Sequence, residues 1–162
     1  MKTIEQLVQQ LELFATELIS SEPPINEEEI FRLETKFKLQ LPNDYKAFLR
    51  VHNGFSLMGV VIYGIRNNNF DLEQCYLFEH HEVNNPMPKH LVAFSPDGTG
   101  NHYCFDLRKC NSESCEVVFW QHDSFYDDEH EPEVVNSSFA EWVQEVVIAW
   151  TLEDYDYNGN KK

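Results

Sequence analysis

Three stretches of this chain carry residue types at spacings that chemistry uses. The first is Asp97-Gly98-Thr99-Gly100-Asn101, with Asp106 close behind, which resembles an ion or phosphate loop. A phosphate cradle needs a helix N-terminus directly after its glycines. Here the alternating pattern Tyr103, Phe105, Leu107 follows instead. The stretch therefore reads as a hairpin turn, with glycines for positive φ and Asp97 and Asn101 bonding local backbone. The second is Asp154-x-Asp156-x-Asn158-Gly159, which matches the opening of a calcium loop. The sequence ends at Lys162, before the bidentate glutamate such a loop requires, so a soluble C-terminus is expected. The third is the set of seven histidines and four cysteines. His102 and Cys104 share a strand face, but no C-x2-C or H-x3-H spacing accompanies them, and His80-His81 point apart. No metal and no cofactor are expected, and His52 reads as a half-buried histidine. The chain contains no G-x-S-x-G, H-E-x-x-H, P-loop or dinucleotide fingerprint. It is not expected to be an enzyme.

Charge is the stronger signal. The formal net charge is -16, from 28 acids against 12 bases. Such a surface repels nucleic acid and anionic membrane and attracts basic partners. Between Asp123 and Glu133 stand Asp123, Asp127, Asp128, Glu129, Glu131 and Glu133, with no lysine or arginine. Most charge runs are solvated loops. The alternative is a docking surface, because Trp120, Phe125 and Tyr126 lie beside these acids and interfaces favour aromatic anchors. His122, next to Asp123, would tune such a surface by pH.

The elements that must position these residues follow from periodicity. Ile4, Leu7, Val8, Leu11, Phe14, Leu18 and Ile19 predict a helix over about residues 2 to 20, stopped by Pro23-Pro24. Asn26, with Glu29 at the capping-box position, starts a second helix that turns Ile30, Leu33 and Phe37 inward. A third begins at Leu41-Pro42, carries Tyr45, Phe48, Leu49 and His52 on one face, and closes at Asn53-Gly54. Val60 to Tyr63 is a strand ended by Gly64, and 66–69 is turn-like. Residues 71 to 83 fit a short helix bearing Leu72, Cys75, Tyr76 and Glu79, in preference to a strand. The hairpin at 91–107 is the centre of a small sheet, and Glu116 to His122 is its next strand. Ser138 and Glu141 form a second capping box, and Phe139, Trp142, Val143, Val146, Val147 and Trp150 stripe a C-terminal helix.

These elements predict a single α+β domain over residues 1–152, followed by a flexible polar tail at 153–162. No signal peptide and no membrane-length apolar run is present, so the chain is expected in the cytoplasm. Four cysteines are too few for a disulfide scaffold at this length and point to a reducing compartment. A Cys110–Cys115 bridge is sterically allowed but not required. Asn136-Ser137-Ser138 matches a glycosylation triplet that has no route to use it.

Three runs together resemble the SUKH superfamily. They are Leu41-Pro42-x-x-Tyr45-Lys46-x-Phe48-Leu49 ending in Asn53-Gly54; Phe94-Ser95-Pro96-Asp97-Gly98-x-Gly100-Asn101-x-Tyr103-x-Phe105-Asp106; and Val117-Val118-x-Trp120-x-His122-Asp123 with Ser138-Phe139-x-Glu141-Trp142. The resemblance covers roughly residues 26 to 150, most of the chain on typical domain size. It implies a mixed or antiparallel sheet packed by helices from both termini. It also implies function by binding. Bacterial members are commonly immunity proteins that neutralise a polymorphic toxin, often a nuclease. Other branches, including fungal cell-wall regulators, are regulatory interaction modules unrelated to toxins. A nuclease cleft is basic because it must neutralise phosphates, which an acidic surface would complement. Under that resemblance the expected partner-binding set is Trp120, His122, Asp123, Phe125, Tyr126, Asp127, Asp128, Glu129 and Glu131.

Overall fold

The computed structural model describes residues 1–66 and 70–162; the expected turn at 66–69 lies largely outside the described residues. Helix α1 spans Ile4–Leu11 and is started by a full capping box between Thr3 and Gln6. The predicted continuation to residue 20 does not form. After Glu12 the chain turns to bury Phe14, runs through a 3-10 turn at Thr16–Leu18, and becomes strand β1, Ile19–Ser21. β1 pairs antiparallel with β2, Phe55–Leu57, which pairs in turn with β3, Val60–Ile62. Strand pairing thus overrides a helical periodicity that ran two turns too far. The β2–β3 hairpin turns on Met58 and Gly59, both at positive φ as a two-residue turn demands.

Helix α2, Glu27–Phe37, is capped by Asn26, whose side chain accepts from the Glu28 amide. Glu29 does not complete the box; it pairs with Arg32 at 2.8 Å. Helix α3, Asn43–Leu49, buries Tyr45, Phe48 and Leu49 as predicted. The helix ends at Leu49, short of the stop expected at Asn53-Gly54, and beyond it the Asn53 side chain clamps Ile65 by both backbone groups, at 2.7 Å each. Residues Leu72–Leu77 form helix α4, which runs straight into a π-helical turn at Phe78–Glu82.

The larger sheet is an antiparallel meander of β4, Leu91–Pro96; β5, His102–Cys110; β6, Cys115–Trp120; and β7, Glu133–Asn136. The 91–107 hairpin is its opening pair, and Gly98 and Gly100 sit at φ 88° and 95° in the turn. Cys110 and Cys115 face each other across the β5–β6 turn and are bonded, so the bridge that their spacing allowed is made. Cys75 and Cys104 are free thiols. The small sheet is tied to the large one where the Tyr63 amide donates to the Phe94 carbonyl at 2.8 Å.

The C-terminal helical rod comprises α5, Phe139–Trp142, a π-helical run at Val143–Ala149, and α6, Trp150–Asp154. Phe139, Trp142, Val143, Val146 and Val147 are buried as the stripe predicts, whereas Trp150 is half exposed and Ile148 is buried instead. Bonds from i to i+5 wind the chain more slowly than an α-helix, so α-spaced positions drift off the inner face. Aromatic rings fill the space between rod, α3 and sheet. Phe94 stacks on Phe105 at 4.2 Å, Trp142 meets Phe94 edge-on at 4.8 Å, and Phe139 meets Tyr45 at 5.3 Å. The Tyr45 hydroxyl donates to the Tyr63 carbonyl at 2.6 Å, satisfying the one polar atom of that ring.

Residues 153–162, expected to be a loose tail, fold back on α1. The Tyr157 carbonyl accepts from the Ala15 amide at 2.8 Å, and its ring lies 4.7 Å from Phe14. The calcium-like run closes on itself, with Asp156 accepting from the Asn158 and Asn160 amides. Among the described residues no cluster of His, Cys, Asp and Glu is placed to hold a metal ion, and no helix is long and apolar enough to cross a membrane.

Candidate functional site

The β4–β5 turn carries the acidic loop. Asp97 accepts from the Thr99 and Asn101 amides, which fixes the turn and holds its own carboxyl below the usual range. Asn101 Oδ1 then accepts from the His122 amide at 3.1 Å and lies 2.8 Å from its Nδ1. His122 packs against Gly100, where a Cβ would come within 3.0 Å of the imidazole. From the other side, Asn85 donates to the carbonyls of His122 and Ser124 at 3.0 and 2.8 Å. The start of the loop is therefore pinned from two elements.

Beyond it, Tyr126 is half-buried and its hydroxyl accepts from the Gln121 amide. Asp127 accepts from the Glu129 and His130 amides in a tight turn, and these bonds lower its pKa. Glu131 is paired with Arg108 at 2.8 Å. His122, Asp123, Asp127, Asp128 and Glu129 are exposed, and Phe125 is 85% exposed. Trp120 is not with them. It is 1% exposed, inside a second small core with Met87, Leu91, Ala93, Cys104 and Val118. As a surface anchor it is ruled out by burial. Strand alternation carried the signal, since Trp120 shares a face with Val118.

Sequence reasoning missed a second feature. A groove of about 570 Å³ runs beside α4, bordered by Tyr63, Phe70, Phe78, Glu79, Glu82 and His102. Phe70 and Phe78 are 45% and 50% exposed, and Phe70 stacks on Tyr63 at 6.2 Å with the rings 20° apart. The π-turn lets two successive residues reach the sheet, with Glu79 Oε1 3.2 Å from His102 Nε2 and His80 Nε2 3.0 Å from the Leu91 carbonyl. His102 is 6% exposed, and burial lowers its pKa against the opposing pull of Glu79. In the neutral ring Nε2–H donates to Glu79, leaving Nδ1 an acceptor with no partner among the described residues. Cys75 Sγ lies 4.0 Å from the same Nε2, but burial and the Glu79 charge push its thiol up to about 12. A thiol held that high is not a nucleophile at neutral pH. The cluster has the residue types of a Cys-His-acid site without the activation such a site needs.

The profile of the SMI1 / KNR4 family (SUKH-1) matches residues 24–145. The chain belongs to this family. The matched span contains α2 through β7 and so includes both the acidic loop and the groove; it leaves out α1 and the end of the rod. Among solved structures, the fold is similar to the crystal structure of a protein from Pseudomonas syringae pv. tomato. The TM-score is 0.61 at 15% identity, over 88% of this chain and 96% of that one. At that identity the likeness bears on the fold alone, and it includes the α+β arrangement of antiparallel sheets and flanking helices. No curated protein matches the chain in sequence. Family membership supports a general role in protein interaction.

Proposed function

We propose that this SUKH-1 protein is a non-enzymatic immunity protein of the cytoplasm, which binds a cognate bacterial polymorphic toxin and masks it. The toxin is a basic nuclease, and the mechanism is occlusion of its positive cleft by an acidic surface. The observation that carries this reading is the loop at 122–131, where Phe125 projects almost fully into solvent among Asp123, Asp127, Asp128 and Glu129. Acids at a rim steer association with a basic partner, and an exposed ring supplies the apolar anchor that charge alone lacks. Of the residues expected in the interface, Trp120 is withdrawn because it is buried, and Glu131 is weakened because it is already paired with Arg108, which it shares with Asp106.

Co-expression with nuclease toxins encoded in the same genome tests the proposal. Rescue of growth with co-purification of the pair is the expected result. Reversing Asp127, Asp128 and Glu129 to lysine, in a protein that still folds, is expected to abolish rescue. Rescue that survives this reversal would remove the loop from the interface. Failure with every such toxin would favour recruitment of a cellular protein by a regulatory module.

A further inference from the structure

The groove beside α4 has a composition that selects its occupant. Among the described residues its lining carries the acids Asp71, Glu79 and Glu82 and no lysine or arginine. Asp71 is already used, since its Oδ1 accepts from the Arg66 and Glu73 amides. Glu79 has no lysine or arginine partner among the described residues. The single hydrogen bond to its carboxyl group among the described residues comes from the His102 imidazole, whose burial disfavours protonation. The groove thus holds a nearly buried carboxylate and a second acid at its rim, beside the His102 ring. Alongside these lie the half-exposed rings of Phe70 and Phe78, the first roughly parallel to Tyr63 with centroids 6.2 Å apart.

An occupant that matches this lining must be flat and cationic, and must carry several N–H donors. An arginine side chain has all three properties: its guanidinium stacks on aromatic faces while donating in its own plane to carboxylates. A lysine ammonium offers a point charge but no plane to stack. The groove connects physically to the acidic loop, because Asn85, just past the π-turn, holds the carbonyls of His122 and Ser124.

We infer that this groove seats an arginine side chain of the basic protein partner, with the guanidinium on the Phe70 and Phe78 rings and bonded to Glu79 and Glu82. The inference rests on the proposed function for the identity of the partner, but the chemistry of the groove can be tested without it.

The probe is N-acetyl-arginine amide, titrated into the labelled protein and followed by backbone amide shifts in NMR. Saturable shifts centred on Phe70, Phe78, Glu79 and His102 are expected. The citrulline analogue has the same shape without the charge, and is expected to bind at least about tenfold more weakly, which corresponds to about 1.4 kcal/mol. The double variant Glu79→Gln, Glu82→Gln should lose the arginine response to a similar degree while keeping the wild-type spectrum elsewhere. Phe78→Ala, a surface change, should weaken it independently. Equal binding of citrulline and arginine, no saturable shift in the groove, or an unchanged response in the double variant would each overturn the inference. The two readings fail separately. If toxin rescue depends on the loop but arginine does not bind the groove, the inference falls and the immunity function stands. If arginine binds as described but no toxin is rescued, the groove stands and the partner assignment falls.

Discussion

Glu73 and Glu79 lie six positions apart on one continuous helical segment, and each is 8% exposed. Their surroundings differ in one respect, the supply of positive charge. Glu73 is gripped by Arg32 through two bonds of 2.6 and 3.1 Å and by Lys36 at 2.8 Å, which together hold its carboxyl down at about 2. Both cations come from α2, so the network fastens α2 to α4. Among the described residues the Glu79 carboxyl group is bonded only to His102, a ring whose burial disfavours protonation. A carboxylate whose counter-charge is built into the chain is architecture. One left with a neutral neighbour and an open groove keeps its capacity for an outside cation.

The largest effect that could break this comparison is at Glu73. Glu73→Ala strips the shared anion from Arg32 and Lys36 and unlinks two helices. Buried pairs broken on one side cost about 3–5 kcal/mol, and because these cations reach solvent the expected loss is about 2 kcal/mol by urea denaturation. A loss smaller than that of Glu79→Gln would reverse the roles assigned here.

The same contrast has a pH signature. Glu73 titrates near 2 in the fold and near its ordinary 4.5 when unfolded, so its contribution is complete above about 4.5 and drains away as the pH falls toward 2. His102 acts in another window. Its folded pKa lies below the ordinary 6.5, so the stability of its neutral form is complete above 6.5 and declines as the pH drops through that value. Denaturation curves over a pH series should show both limbs in the wild type, and Glu73→Gln should flatten only the lower one.

Glu79→Gln keeps the hydrogen bond to His102 and the volume of the side chain. Its expected cost in stability is below about 1 kcal/mol, whereas association with the proposed basic partner should weaken about tenfold. Stability by denaturation and affinity by calorimetry separate the two effects. The smallest change is expected for Lys36→Ala. Lys36 is half exposed and Arg32 still holds Glu73, so a loss of about 0.5 kcal/mol is in order.

How much of this was readable in the chain depends on the distance between the partners. Local rules placed the caps at Asn26 and Ser138, the glycine turn at 98–100, the inward faces of α2 and α3, and a short helix within 71–83. The family resemblance was carried by these local runs. What local rules could not supply was pairing. Strands β1 and β2 are three residues each, with serines that carry no strand signal, and they exist because Ile19 to Ser21 and Phe55 to Leu57 find each other across the fold. His102 was correctly set on one strand face with Cys104, yet its partner Glu79 lies 23 positions earlier. Trp120 was misassigned because its neighbours in sequence are acidic, while its neighbours in space are Met87 and Cys104. The groove therefore escaped notice altogether. It is assembled from a helix, a connecting segment and a strand, none of which is unusual alone.

The π-turn at Phe78–Glu82 has a thermodynamic consequence for that groove. A widened turn is a strained way to wind a helix, and this one brings Glu79 onto His102 and His80 onto Leu91 together. Occupancy of the groove and winding of these five residues are then linked equilibria: a guest that binds Glu79 favours the wide turn, and any rewinding to α geometry expels the guest. Amide hydrogen exchange across 78–82 should accordingly slow when the groove is filled, turning a local irregularity of the backbone into a reporter of binding.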